Sequence, residues 1–307
     1  MCSDPYRDRV LIGRPLRGAA VAACAVAVLT GCQDDPQAQP DPPRPVSAGD
    51  EYVALGDSYT AAPGTGPVDV EDGCVRSVNN YPHLVATELG LELNDVSCGG
   101  ARTDALYASQ RTPAGVDRPP QLHALSEATD LVTLRIGAND FNLYGNLVQR
   151  CVEAARGGQP APCTEEDAIG GTSALDGIIE EMVGRLDRAI AEVRERAPDA
   201  RILVVGYPQF VPPIATCEQL PIAAGDYPFA RRVNDGLIAM LEQAAERADA
   251  EYLDVAEATL GHDMCSPEAW IAGAVPTRPG ATVFHPYPEE QRAVADLVVE
   301  RLADPSG

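Results

Sequence analysis

Five short apolar runs, separated by longer segments with a helical hydrophobic period, constrain this chain more than any other feature. The runs are "EYVAL" (51–55), "LELNDV" (91–96), "DLVTLRI" (130–136), "RILVVG" (201–206) and "EYLDV" (251–255), each with the length and residue types of a strand. The third and fourth are nearly all apolar at their centres, the pattern of strands covered on both faces. Residues 173–196 place Ile178, Ile179, Met182, Val183, Leu186, Ile190 and Val193 on one stripe with Glu and Arg opposite, and Pro198 stops the helix. Residues 229–248 repeat that spacing with Val233, Leu237, Ile238 and Leu241. A last helix over 288–303 uses Val294, Leu297, Val298 and Leu302, with Pro286 and Pro288 at its entry. Strand–helix alternation predicts an α/β domain with a central parallel sheet and helices on both faces.

The first 50 residues lie outside that scheme. Arg7, Arg9, Arg14 and Arg17 precede the apolar run "AAVAACAVAVL" and then "LTGC". A basic start, a short apolar segment and small residues predict a secretory signal peptide over 1–31, since a membrane-spanning helix needs about 20 apolar residues. Leu29-Thr30-Gly31-Cys32 resembles a bacterial lipobox, which makes Cys32 a candidate lipidation site and the anchor the only expected membrane contact; plain secretion is the alternative. The stretch 32–50, rich in Pro, Asp and Gln, cannot bury enough surface to order itself and is expected to be a linker. The domain is expected over 51–304, exported and monomeric.

The formal charge is −23 and every basic residue is Arg, an acidic balance without a basic stripe that argues against nucleic acid as a partner. Of nine cysteines, six fall within the domain: Cys74, Cys98, Cys151, Cys163, Cys217 and Cys265. None forms a C-x-x-C pair, so disulfides are expected and a metal is not. Six cysteines allow about 15 pairings. Sequential pairing, 74–98, 151–163 and 217–265, closes the shortest loops and is the expectation.

In a parallel sheet, ligands bind beyond the carboxyl ends of the strands. The first four strands exit through Gly56-Asp57-Ser58, "SCGGART", "GANDF" and "GYPQF", each with a glycine at or near the strand end. Ester hydrolysis by serine needs a base, because free serine is a poor nucleophile, and N–H donors for the oxyanion. Ser58 is the candidate nucleophile; an N-cap serine is the bland alternative. The amides of Ser58 and Gly100 and the side chain of Asn139 are candidate donors, set against a simple strand-exit turn and an Asx turn. Among four histidines, His83 and His123 sit in helical-looking segments. His285, in "VFHPYP" before the last helix, is favoured as base, with His262 in reserve.

Taken together, "GDSYT" at Ser58, a glycine after the second strand, "GAND" after the third and "HP" before the last helix resemble the SGNH (GDSL-type) hydrolase family. With "CGGA" and "GYP" they resemble its actinobacterial esterase and lipase branch. The resemblance implies a three-layer α/β/α flavodoxin-like sandwich and three sequential disulfides. It also implies Ser58 as nucleophile, His285 as base, and Ser58, Gly100 and Asn139 as oxyanion hole, with no cofactor. Ser58 lacks the G-x-S-x-G elbow. The family usually places Asp three residues before the histidine, and here Thr282 stands there. Some members of that branch use a main-chain carbonyl to orient the base, which makes the carbonyl of Thr282 the candidate and Asp263 or another acid the alternative.

The expected activity is hydrolysis of carboxylic esters, with an acyl ester or lipid as substrate. Acyl transfer or glycan deacetylation by the same residues is the second reading, and an inactive lipid-anchored binding protein the third. Phe141, Leu143, Tyr144, Phe210, Ile214 and Leu220, in the stretches 141–172 and 207–228, are candidate walls of an acyl pocket, or ordinary packing.

Overall fold

The computed structural model describes residues 44–68, 70–165, 171–214 and 216–304. The expected signal peptide, Cys32 and the linker up to residue 43 lie outside them. Five strands form one parallel sheet: β1 (Glu51–Gly56), β2 (Glu92–Asp95), β3 (Thr129–Arg135), β4 (Arg201–Val205) and β5 (Glu251–Leu253). Their order is β2-β1-β3-β4-β5, the flavodoxin-like winding. The order reverses between β1 and β3, where Tyr52 pairs with Leu131 and Gly56 with Arg135.

Alternate strand residues build two cores. Val53, Leu55, Val132, Leu134, Ile202 and Val204 pack against α3 (Gly171–Arg196) and α4 (Tyr227–Arg247). Tyr52, Ala54, Leu131, Leu203 and Val205 pack on the other face against α2 (Tyr81–Leu89) and α5 (Pro288–Ala303). This is the three-layer sandwich expected. Each strand side chain points to the face opposite its neighbour, so a sheet covered on both sides needs apolar residues at nearly every position. Burying one such large aliphatic side chain contributes roughly 1.5–3 kcal/mol. Pro288 occupies the first turn of α5, where its missing N–H is harmless.

The three disulfides join Cys74 to Cys98, Cys151 to Cys163 and Cys217 to Cys265, as sequential pairing predicts. The stretch after Asn139 is not an open loop. It folds into short helical turns between Leu143 and Ala155 and again over Pro162–Glu165, joined by Cys151–Cys163. Asn146–Cys151 is π-helical, so the stretch does not keep the 3.6-residue period of an α-helix. Of the six candidate wall residues, Leu143, Tyr144, Phe210 and Leu220 are buried in the core, whereas Phe141 and Ile214 are exposed.

Candidate active site

The nucleophile candidate sits where β1 stops. Gly56 has room for a hydrogen only: a Cβ there would lie 2.2 Å from Thr60 Oγ1 and 2.9 Å from the Arg135 carbonyl oxygen. The buried Gln121 side chain continues the ladder, its Oε1 accepting from Gly56 N–H at 2.8 Å and its Nε2 donating to Gly56 O at 2.9 Å. The short helix α1 (Ser58–Ala61) follows, and its N-cap is Asp57, whose Oδ1 accepts from Tyr59 N–H at 2.9 Å. Capping by Asp57 frees Ser58 from that duty. Ser58 is the first helical residue and half-buried, and among the described residues its hydroxyl makes no side-chain hydrogen bond.

A buried polar layer supports this turn. Asp57 Oδ2 accepts from the Tyr207 hydroxyl at 2.5 Å. Burial pushes the Asp57 carboxyl up to about 6, against the pull of the Tyr207 hydroxyl and the Tyr59 amide, so it is ionised at pH 7. The Arg135 guanidinium pairs with Glu290 at 2.7 Å, both fully buried, donates to Tyr59 O at 3.3 Å, and lies 5.3 Å and 5.5 Å from the ring centroids of Tyr59 and Tyr207. An arginine inside "DLVTLRI" was the sequence signal for this layer, because a buried cation demands a partner.

The donor candidates come from the next exits. Cys98 N–H donates to Gly56 O at 3.1 Å, which sews the β2 exit to that of β1. Gly99 N–H donates to Cys74 O at 2.9 Å, and Gln110 Nε2 donates to Gly99 O at 2.9 Å. The carbonyl of Gly99 and the N–H of Gly100 belong to one planar trans peptide, so the Gln110 bond also fixes the direction of that N–H. Gly100 has φ 73°, the left-handed conformation that glycine adopts without strain. Asn139 Nδ2 donates to Ala101 O at 2.9 Å, which leaves its second amide hydrogen and brings the β3 exit beside Gly100. Asp140 reinforces the junction by accepting from Thr103 N at 2.8 Å and Thr103 Oγ1 at 2.6 Å. The Tyr207 hydroxyl closes the circle, accepting from Ala138 N–H at 3.1 Å while donating to Asp57. Among the described residues no acceptor takes the N–H of Ser58 or of Gly100, although the amides of Asp57, Tyr59, Gly99 and Ala101 are all bonded.

His285 is half-buried, and its ring centroid lies 5.9 Å from that of Tyr59, the residue after Ser58. Burial holds its pKa below the ordinary 6.5, with the Val283 carbonyl pulling the other way, so the ring is neutral at pH 7. Nδ1 lies 2.8 Å from Val283 O, and a carbonyl only accepts, so the proton sits on Nδ1 and Nε2 keeps its lone pair. The carbonyl bonded to the candidate base is therefore that of Val283, not the Thr282 carbonyl expected from the sequence. Thr282 O instead accepts from the backbone N–H of His285 at 3.2 Å, because Phe284, at φ 59°, turns the chain back on itself. Among the described residues no bond joins Asp263 to His285; Asp263 caps its own turn by accepting from Cys265 N–H at 2.8 Å. His262, the reserve candidate, stacks on Trp270 at 3.8 Å and bonds Glu268 O through Nδ1. His83 bonds Asn80 in α2, and His123 lies in a 3-10 turn.

A 2-1-3-4-5 parallel sheet with serine, glycine, asparagine and histidine segments laced together at its carboxyl edge defines a flavodoxin-like α/β/α protein with a polar edge site. The model of the GDSL-like Lipase/Acylhydrolase family matches residues 54–293, and the chain belongs to that family. It is 40% identical over 245 residues to Lipase 2 of Streptomyces coelicolor, covering 75% of this chain and 81% of that protein. Among solved structures it is similar to phospholipase A1 from Streptomyces albidoflavus NA297, with 28% identity and a TM-score of 0.66 over 83% of this chain and all of that one. The extracellular lipase of Streptomyces rimosus superposes with a TM-score of 0.63 at 25% identity, over 83% of this chain and all of that one. The protein is thus a carboxylic ester hydrolase of the SGNH (GDSL) type, a lipase or esterase.

Proposed function

We propose that the protein hydrolyses lipid-like acyl esters through a Ser58–His285 dyad. Nε2 of His285 takes the Ser58 proton as Oγ attacks the acyl carbonyl, then delivers it to the leaving alcohol; water frees the acyl group by the same route. The Ser58 N–H, the Gly100 N–H and the second amide hydrogen of Asn139 receive the oxyanion. Removing one such donor typically costs about 3–4 kcal/mol of transition-state stabilisation. The Val283 carbonyl fixes the tautomer without a carboxylate. The observation that carries this reading is the pair of unbonded amides, Ser58 and Gly100, flanked by bonded neighbours on adjoining strand exits. In ligand-free sites the nucleophile–base bond is commonly long and closes only with substrate.

Ser58→Ala tests it against a series of p-nitrophenyl acyl esters. Turnover should fall by at least about 10³-fold with the fold intact, and wild-type turnover in the variant refutes the assignment. We further propose export by the 1–31 segment and lipidation at Cys32. Mass spectrometry of the mature N-terminus checks both, and an unmodified terminus other than Cys32 rules out the anchor.

A further inference from the structure

The base is held by a loop that contributes no carboxylate, and that loop is gripped from beneath by two phenols. The Tyr144 hydroxyl donates to Phe284 O at 2.5 Å. The Tyr59 hydroxyl lies 2.8 Å from that of Tyr144 and 3.3 Å from the same Phe284 oxygen. All three groups are buried, and burial raises both phenols above their ordinary pKa, so they remain donors. Phe284 has φ 59°, a conformation that a bulky residue keeps only where its surroundings over-determine it. Its carbonyl belongs to the same peptide unit as the His285 N–H. Three consecutive carbonyls are thus assigned: Thr282 to the His285 backbone, Val283 to Nδ1 and Phe284 to the two tyrosines.

Tyr59 is fixed on every side. Its N–H is bonded to Asp57, its carbonyl receives Arg135 at 3.3 Å and Gln291 Nε2 at 3.0 Å, and its ring meets those of Tyr144 and Tyr207 edge-on at 5.7 Å and 5.6 Å. Being covalently next to Ser58, it makes the distance from nucleophile to base loop depend on one rigid side chain. Tyr144 N–H bonds Ala138 O at 3.0 Å, so the third corner of the triangle is the Asn139 segment.

We propose that Tyr59 and Tyr144 are positioning residues that set the His285 imidazole through the Phe284 carbonyl, restraining by the backbone what a carboxylate restrains directly in other serine hydrolases. The idea rests on the Ser58–His285 reading. Without the phenols, Phe284 relaxes from its left-handed conformation, Val283 O leaves Nδ1, and the ring loses its fixed tautomer. Neither tyrosine touches the reacting atoms.

The test compares Tyr59→Phe, Tyr144→Phe and the double variant with Tyr52→Phe, which loses a buried hydroxyl contact to Thr133 (2.8 Å) in the opposite core. kcat and KM are measured on a p-nitrophenyl ester, and the His285 ring is followed by nitrogen NMR. We expect the double variant to lose roughly ten- to a hundredfold in kcat with KM within about twofold, as misplacement of a reacting group does. Its His285 resonances should change from one Nδ1–H tautomer to a mixture, while Tyr52→Phe retains both kcat and tautomer. If the double variant does not fold, Tyr144→Phe alone, which removes the shorter bond, is read the same way. Wild-type kcat and an unchanged tautomer in the folded variants overturn the proposal. Failure of the dyad reading shows separately, as turnover surviving in Ser58→Ala, and the NMR arm still decides whether the phenols hold the ring.

Discussion

The proposed nucleophile and the proposed base are held in different ways. Ser58 follows a strand that is bonded on both edges, behind a glycine with no room for a side chain and a cap one residue away. His285 sits in an irregular stretch held both by its own neighbours, Thr282 O and Val283 O, and by other segments: Phe284 N–H to Gly273 O, Ala272 N–H to His285 O and Thr282 N–H to Pro63 O, with Ala274 N–H to Gln219 O behind them. Ser58 is placed by the sheet ladder and by the capped, buried turn that follows it. A base on a loop is positioned by tertiary contact, and its placement is the more easily lost.

The largest expected effect comes from cutting the Cys217–Cys265 bond with the paired change Cys217→Ala and Cys265→Ala. The bridge closes a separation of 48 residues and stands behind Gln219, which supports Ala274 and, through Gly273, Phe284. Chain-entropy reasoning gives about 4 kcal/mol of lost stability. Chemical denaturation measures it. A loss no larger than that from the equivalent Cys74 and Cys98 change, which closes a separation of 24, contradicts the ranking.

Two glycines sharpen the contrast. Gly56→Ala drives a methyl into Thr60 and Arg135 O and should cost roughly 3 kcal/mol of stability. Gly64, at φ 94°, would place a Cβ 2.8 Å from the backbone of Ala281 and Thr282, where the nucleophile's loop presses on the base's. Gly64→Ala should cost less stability, about 1–2 kcal/mol, yet lower kcat at least tenfold by displacing His285. Thermal melts and steady-state kinetics on both variants decide it. A fully active Gly64→Ala breaks the comparison.

The smallest effects are in pH. Burial holds His285 below 6.5, so the acid limb of kcat/KM should fall below pH 6.5 and the rate should be level from there to pH 8. Asp57 moves the other way. Its carboxyl titrates at about 6 when folded and near 3.8 when unfolded, so between these values the native state binds more protons and stability rises as pH falls. Relative to Asp57→Asn, the wild type should gain stability from pH 7 to pH 4 while losing activity. A rate limb above pH 6.5, or no gain relative to the variant, contradicts the respective assignment.

The strand runs, helix stripes and cysteine order were legible in the sequence because each is a local pattern: a continuous apolar run, period 3.6, shortest loop. Ser58, Gly100 and Asn139 could be singled out as candidates because topology brings strand exits to one edge, and His285 because it stands before the last helix. The layer beneath them was not. Tyr59, Tyr144, Tyr207 and Gln121 look like ordinary core residues until the fold shows whose oxygen each hydroxyl or amide meets. That the His285 ring meets Val283 O and not Thr282 O was hidden for the same reason, since the left-handed Phe284 turns the residue after it back onto the carbonyls before it.

By itself the sequence determined the layers, the strands and the family, since burial and backbone geometry repeat along the chain. Only the tertiary structure decided which carbonyl meets the His285 ring and what holds the loop that carries it. Hydrogen bonds are directional over tenths of an ångström, and the hydroxyls that hold the Phe284 carbonyl next to His285 lie more than a hundred residues away along the chain, at Tyr59 and Tyr144.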